Sequence, residues 1–450
     1  MRYDVVVIGG GISGTMAAIA AARAGVSVLL TEQYGFLGGT LTACGTGPMM
    51  TFHAGKIQAV RGLTDELIQR LQAKGLSTGH IFDSTNYTYT VTPFDVEGMK
   101  LELETMCLEA GVDLLYHTML TDVIREGDRI QAVEICNKHG KQPVEGKFFV
   151  DATGDADVTY LLGEPFSQGR PSDGKTQPLT MNLRLCNVDM TRVRAYIKKE
   201  PAEFPCVATD PDSVDQAPRL STGGYKNMIR RATAEGRISF PREDVLFFES
   251  NTPGEVIVNT TRILNINPTE PLELTKAEIL GRKQAWELLK LLREEAEGFE
   301  NAQLMFTGPF VGVRGSRQIQ AARMLTAEDL ISCVRFPDTI AHGGYPIDVH
   351  PPEGFDEENG KNRDFRSGQM YSIPLSCMYG RVENLVTVGR CIGATFEAQA
   401  AIRVSPIAGA IGHAGGAAAA VCVQSGVDIA DVDTEAVRAL MKDQGAYLIG

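Results

Sequence analysis

The 450-residue sequence predicts a three-layer α/β fold on a parallel sheet, with an inserted α+β domain. Three observations carry that expectation. A β-branched run at residues 3–8 gives way to clustered glycines and a small-residue helix. Two further strand-like runs, at 148–151 and 384–388, also end in glycine-containing turns. The long stretch between these junctions holds a helix of its own, at about 275–297.

Residues 3–8 read YDVVVI, without the alternation of a half-exposed strand, and so fit a strand buried on both faces. Gly9, Gly11 and Gly14 then form G-x-G-x-x-G. The first glycine permits a tight turn, the second lets the backbone approach a pyrophosphate, and the third brings helix and strand together. The small residues of 17–24 continue as that helix, 26–30 form the next strand, and Glu32 stands at its end, 18 residues after Gly14. A carboxylate there binds ribose hydroxyls, while the helix N-terminus stabilises a pyrophosphate. The unit is Rossmann-like and binds a dinucleotide.

The stretch after Glu32 points to FAD rather than a nicotinamide dinucleotide. Instead of another helix and strand comes Gly35-Phe36-Leu37-Gly38-Gly39-Thr40-Leu41-Thr42, a loop suited to wrapping the pyrophosphate and ribityl chain of a longer cofactor. The strand at 148–151 ends in Asp151-Ala152-Thr153-Gly154-Asp155-Ala156-Asp157, whose small residues let backbone pass close to a cofactor. The strand at 384–388 runs into Gly389-Arg390. After Arg403 a glycine- and alanine-rich helix opens near Pro406, a residue tolerated at helix starts. Its N-terminal dipole is expected to face the pyrimidine end of a flavin.

Composition narrows the function classes. With 43 Lys+Arg against 56 Asp+Glu the formal charge is −13, which disfavours nucleic acid and anionic lipid. Nine cysteines without a C-x-x-C pair disfavour a disulfide framework, a zinc ribbon and an iron–sulfur centre. No metal site is expected. The first strand begins too early for a secretory signal, and the weakly polar stretch 407–423 falls short of a membrane span, so a cytoplasmic protein is expected. A homo-oligomer is expected as well.

Five ordered motifs carry a family resemblance over nearly the whole chain. They are 7–14 (VIGGGISG), Gly38-Gly39-Thr40, 151–155 (DATGD), 313–317 (VRGSR) followed by 325–329 (LTAED), and 384–390 (NLVTVGR). The chain resembles the bacterial FAD-dependent oxidoreductases, relatives of the fumarate reductase and glutathione reductase flavoproteins. Departures are Gly315, where many relatives carry a larger residue, and His413, where glutamine is commoner. The resemblance implies that Gly9, Gly11, Gly14 and Glu32 hold the ADP half, and Gly38, Gly39 and Thr40 the pyrophosphate and ribityl chain. It also implies that Val123 presents backbone atoms to adenine, that Gly389, Arg390 and the 403–407 turn with Ile407 lie near the diphosphate and isoalloxazine, and that Asp155 acts through hydrogen bonds alongside Thr153 and Gly154.

The FAD-binding domain is expected at 1–50, 96–165 and 376–450, with a substrate or cap domain at 51–95 and 166–375 and a lid-like loop at 351–366. In the cap helix, Ile279, Trp286, Leu289 and Leu292 are expected to share a buried face. Hydride chemistry at a flavin asks for a proton donor or acceptor nearby. His350 is the first candidate, with Tyr345 the alternative; Arg403 is expected to contact substrate or cofactor, and His53 to approach the ring. Arg314 and Arg317 either share a face toward an anion or pair with Glu328 or Asp329. Cys44 reads as a packing residue, and His413 as packed within the last helix. The expected function is hydride transfer between a small polar substrate and flavin N5. The alternatives are an FAD-containing electron-transfer subunit fed by a partner protein and a non-redox flavoprotein such as a hydratase or isomerase.

Overall fold

The computed structural model describes residues 1–354 and 364–449, so most of the expected lid loop at 351–366 lies outside the described residues. β1 (Arg2–Ile8) buries Val5, Val6 and Val7 completely, as a strand covered on both faces must. The chain turns at Gly9 (φ +103°) into α1 (Ile12–Arg23) and returns as β2 (Val28–Thr31). It then passes through α2 (Leu63–Ala73) and α3 (Val96–Ala110) to β3 (Asp113–Leu115). Asp95 caps α3 by accepting the Gly98 N–H at 2.7 Å. Next comes a meander, β4 (Met119–Glu126), β5 (Arg129–Asn137) and β6 (Gly140–Asp151); near the C-terminus lie β7 (Leu385–Thr387) and α4 (Ser405–Ser425).

The sheet runs β3-β2-β1-β6, parallel throughout, and β7 adds in parallel beside residues 149–151. The first half of β6 instead pairs antiparallel with β5, and β5 with β4, because the turns after Glu126 and Asn137 are too short for a crossover. The expected parallel sheet is therefore present, extended at one edge by an antiparallel meander. Its register sets Ile8 beside Asp151 and Asp151 beside Thr387, so the segments leaving β1, β6 and β7 emerge side by side. That is where ligands bind in open α/β sheets.

The inserted unit is a five-stranded antiparallel sheet in the order Ser221–Gly224, Val245–Glu249, Val256–Val258, Leu183–Cys186, Gln303–Phe306, with its own core. The helix Pro271–Glu295 packs on it, and here the expected face is corrected. Leu289 and Leu292 are buried, but Ile279 and Trp286 are each 61% exposed. The buried stripe instead passes through Ala277, Gly281, Ala285 and Leu288. A Cβ on Gly281 would already sit 3.0 Å from Met181, so small side chains set the approach and the large ones face out.

The expected domain limits also shift. Leu63, Leu67, Ile68 and Leu71 of α2, and Leu325, Ile340 and Tyr371 from the later part of the expected cap, pack into the same core as α1 and α4. An amphipathic helix at 63–73 buries its apolar face against the helices that lie nearest, and those are α3, α4 and α1, not the inserted sheet.

α4 is one unbroken helix of 21 residues, long and apolar enough by composition to cross a membrane, contrary to the sequence expectation. It is instead a core helix, with 89% of its most apolar window buried within the protein. His413 lies in its middle, 1% exposed, with Nε2 2.8 Å from Gln444 Oε1, and burial pushes its pKa down to about 4. Unfolding restores an ordinary histidine near 6.5, so between about pH 4 and 6.5 the unfolded chain binds more protons and stability falls as the pH drops. The shift corresponds to about 3 kcal/mol over that window. His413→Gln should therefore lose less stability than wild type between pH 7 and pH 4.5 in thermal melts; equal losses would show that the buried histidine does not govern this range.

Candidate active site

The segments leaving β1, β6 and β7 line a cleft of about 370 Å³. Each glycine of the first motif does something different there. A Cβ at Gly9 would lie 2.4 Å from Ala152 O, and one at Gly14 only 1.9 Å from Gly9 O, so both are demanded by packing. A Cβ at Gly11 would meet nothing nearer than Gly39 Cα at 3.9 Å. Gly11 thus leaves open room beside the start of α1, which carries no side-chain cap and no acid in its first turn. Gly38 (φ +109°) and Gly39 (φ +55°) bring the second loop against this turn, and the Gly38 N–H donates to Gly10 O at 2.9 Å.

Glu32 Oε2 accepts the Gly10 N–H at 2.7 Å and Oε1 the Tyr34 N–H at 2.8 Å. Burial raises its pKa, while these backbone donors hold it down. Arg390 is spent on the protein: Nε donates to Gly154 O at 2.6 Å, Nη1 to Val313 O at 2.9 Å and Nη2 to Asp155 Oδ1 at 3.0 Å. It ties the third glycine turn to the segment before Arg314.

A second group of residues lines the same cleft and converges on Asp348. Tyr345 Oη donates to Asp348 Oδ2 at 2.9 Å, Arg403 Nη2 lies 3.2 Å from the same oxygen, and His350 Nε2 is also 3.2 Å from it. Burial works to raise the Asp348 pKa, but His350, Arg403 and the Tyr345 hydroxyl hold the carboxyl well below the usual carboxylate range. Burial, with Asp348 beside it, pushes the Tyr345 hydroxyl far up, so it stays a proton donor. The ring of Tyr87 stands edge-on to that of Tyr345 at 5.8 Å.

An amide relay joins this group to Arg314. The His350 N–H donates to Gln177 Oε1 at 3.1 Å, Gln177 Nε2 to Gln399 Oε1 at 3.3 Å, and Gln399 Nε2 to Arg314 O at 2.9 Å. Gly315 has a reason here, since a Cβ would fall 2.8 Å from Gln399 Nε2.

Of the residues expected from sequence, Gly9, Gly11, Glu32, Gly39, Thr40, Thr153, Gly154, Asp155, Gly389, Arg390, Tyr345, His350 and Arg403 line the cleft. Gly14 and Gly38 shape it from behind. Val123 does not line it; Thr118, just before the same strand, and Met119 and Leu120, at its start, do. Ile407 is buried in the first turn of α4, and Ser405 and Ala408 face the cleft in its place. His53 is also outside the lining, because the short hairpin formed by His53–Ala54 and Ile57–Gln58 turns it toward Thr90, whose Oγ1 is 3.0 Å from Nδ1. Arg314 and Arg317 do not pair with Glu328 or Asp329. Arg317, in a strand rather than a helix, pairs with Asp157 at 2.8 Å, and Arg323 takes Asp329. Cys44 lines the cleft, but burial pushes its thiol up to about 12, and it is a packing residue. Sequence reasoning missed Asp348 as the shared acceptor, although its placement between Tyr345 and His350 was a signal, and missed Asn182 altogether.

The residues fit FAD. Besides the open cradle at Gly11, Asn182 lines the cleft with Oδ1 buried and without a hydrogen-bond partner, while its Nδ2 donates to Thr46 Oγ1 at 3.0 Å. An acceptor held in this way awaits a ligand N–H or O–H. Fold and cleft define a Rossmann-like dinucleotide-binding protein with an inserted antiparallel unit. The family model for FAD-dependent oxidoreductases matches residues 4–441, and the chain belongs to that family; FAD is its cofactor. Curated relatives are a thiamine thiazole synthase of Aeropyrum pernix, 30% identical over 36% of this chain and 59% of its own length, and a digeranylgeranylglycerophospholipid reductase of Methanothermobacter thermautotrophicus, 31% identical over 34% and 40%. The chain thus spans about half the length of the curated relatives it matches. Among solved structures it is similar to a geranylgeranyl bacteriochlorophyll reductase-like protein of Thermoplasma acidophilum (14% identity, 98% of this chain and 82% of that one, TM-score 0.46) and to a flavin-dependent brominase (16% identity, 98% and 84%, TM-score 0.48).

Proposed function

We propose that the chain transfers a hydride between a carbon atom of a small polar substrate and N5 of FAD, with His350, Tyr345, Asp348 and Arg403 facing the substrate. The observation that carries this reading is the convergence of a tyrosine hydroxyl, an imidazole and a guanidinium on one carboxylate within the cofactor cleft. When bound, FAD supplies the two-electron acceptor or donor. The protein supplies the proton work. Asp348 orients His350 through Nε2, and the imidazole takes the proton that leaves a substrate hydroxyl or amine as its carbon loses hydride. In the reverse direction the same group returns it. Tyr345 keeps its proton and fixes the position of Asp348, and Arg403 balances the Asp348 charge.

The test is an absorbance spectrum of the purified holoenzyme, repeated without oxygen against hydroxy acids, sugars and amines. Bleaching of the flavin bands by one class of compound is the expected result. A flavin that every compound leaves oxidised, while a partner protein reduces it, would replace this reading with that of an electron-transfer subunit.

A further inference from the structure

We infer that the substrate enters as an anion, its carboxylate or phosphate held by the guanidinium groups of Arg314 and Arg403. The inference rests on the proposed substrate side of the cleft and names the class of molecule that it takes.

The charges of the cleft do not balance around Asp348. Arg314 and Arg403 both line the cleft. Arg403 has Asp348 as its counter-charge, but the same carboxylate also serves His350 and the Tyr345 hydroxyl. Arg314 pairs with no carboxylate among the described residues. Its Nη1 donates only to neutral oxygens, Pro178 O and Thr180 Oγ1, the latter at 2.7 Å. Two guanidiniums therefore face one carboxylate, an excess of one positive charge before His350 is counted. Burial, followed by the like charges of Arg403 and Arg262, pushes the Arg314 pKa down, as expected of a cation short of counter-charge. Arg403 Nε is in addition buried without an acceptor.

Elsewhere in the cleft Arg390 is matched with Asp155 at 3.0 Å, and behind the lining Arg317 is matched with Asp157 at 2.8 Å. The imbalance is confined to the Asp348 group. Enclosed charges without partners are costly, and a guanidinium fork matches the oxygens of a carboxylate or phosphate. Pro178 O and Thr180 Oγ1 hold the Arg314 guanidinium and Gln399 holds its backbone carbonyl, so the fork is held in place before any ligand arrives. The diphosphate of FAD is the competing source of anion. It is served by the uncapped start of α1 and the open room at Gly11, whereas the charges felt by Arg314 are those of Arg403, Arg262, Asp348 and Arg242.

The experiment titrates oxidised holoenzyme at constant ionic strength with malonate, succinate, inorganic phosphate and the neutral control malonamide, following the flavin bands. Saturable perturbation by at least one of the anions, and none by malonamide, is expected. Perturbation by malonate or succinate assigns a carboxylate, and perturbation by phosphate alone assigns a phosphate. Arg314→Gln should weaken that binding by about 10- to 100-fold with an unchanged ratio of FAD to protein. Arg314→Lys should recover part of the loss, and Thr180→Val, which leaves the charge in place, should weaken binding by a smaller factor. The inference is overturned if no anion binds saturably, if Arg314→Gln binds as tightly as wild type, or if Arg314→Gln loses FAD in proportion, which would give Arg314 to the cofactor. Nothing is reduced in this titration, so saturable anion binding here, together with a flavin that no hydroxy acid, sugar or amine bleaches in the anaerobic test, would sink the proposed hydride transfer and leave the anion site standing.

Discussion

Asp348→Asn is expected to lower kcat/KM for any compound that reduces the flavin by about 10²- to 10³-fold, with little change in FAD content. The substitution keeps the shape of the side chain and removes its charge. Arg403, which donates from Nη2 at 3.2 Å, loses its counter-ion, and His350 loses the carboxylate that orients Nε2. Removing one member of an enclosed ion pair costs about 3–5 kcal/mol because the partner charge is left uncompensated. Part of that cost falls on the ground state as disorder of Arg403 and Tyr345, and part on the proton transfer. A purely structural role predicts a lower Tm with kcat intact once the protein is folded. The role in the reaction predicts a fall in kcat at saturating substrate, and near-normal kcat in the folded variant would refute it. FAD content is the internal control, since the glycine turns and Glu32 make no contact with Asp348.

The second large effect is on stability. Gly416→Val is expected to cost about 3 kcal/mol or more, to lower Tm by about 5 °C or more, and to yield protein deficient in FAD. Gly412 and Gly416 stand four apart on α4 and so share one face. A Cβ at Gly412 would fall 2.1 Å from Ser13 O, and one at Gly416 2.0 Å from Ala17 O. Both obstacles are backbone, so no rotamer change relieves them and the two helices must separate. α1 carries the cofactor turn at its start, and displacing it disturbs the register of Gly9, Gly11 and Gly39. Gly426→Asn is the contrasting case. Gly426 ends α4 with φ +69°, nothing lies within 4 Å of a Cβ there, and asparagine tolerates that conformation. It should cost well under half as much. If Gly416→Val melts and retains FAD like wild type, the close crossing of α1 and α4 is not needed for the cofactor domain.

The cofactor half of the site was legible in the sequence because its constraints are local. A turn that needs positive φ, a helix that must approach a strand and a backbone that leaves room for a phosphate all demand glycine, and they demand it at fixed spacing. Gly9, Gly11, Gly14, Gly38 and Gly39 could therefore be placed without knowing what surrounds them, and Glu32 is set by the end of the strand it follows. Burial on α4 is different. Its length and apolarity suit a membrane equally well, and it is a core helix because α1, lying against Gly412 and Gly416, and the central sheet cover it.

Side-chain direction was the information missing from the chain. His53, three residues beyond the cleft-lining Met50, turns to Thr90 because a hairpin forms there. Ile279 and Trp286 share a helix face with the right spacing, yet the neighbouring stripe of small residues permits closer packing and takes the core. A dinucleotide-binding sheet with an inserted unit could be read from consecutive residues, since glycine spacing and strand polarity are properties of neighbours along the chain. That Tyr345, His350 and Arg403 share Asp348, and that Arg314 stands beside them without a carboxylate partner among the described residues, came from the folded molecule alone. Charge compensation depends on which segments fold against one another, and residues from 177 to 403 meet there through contacts that no local pattern encodes.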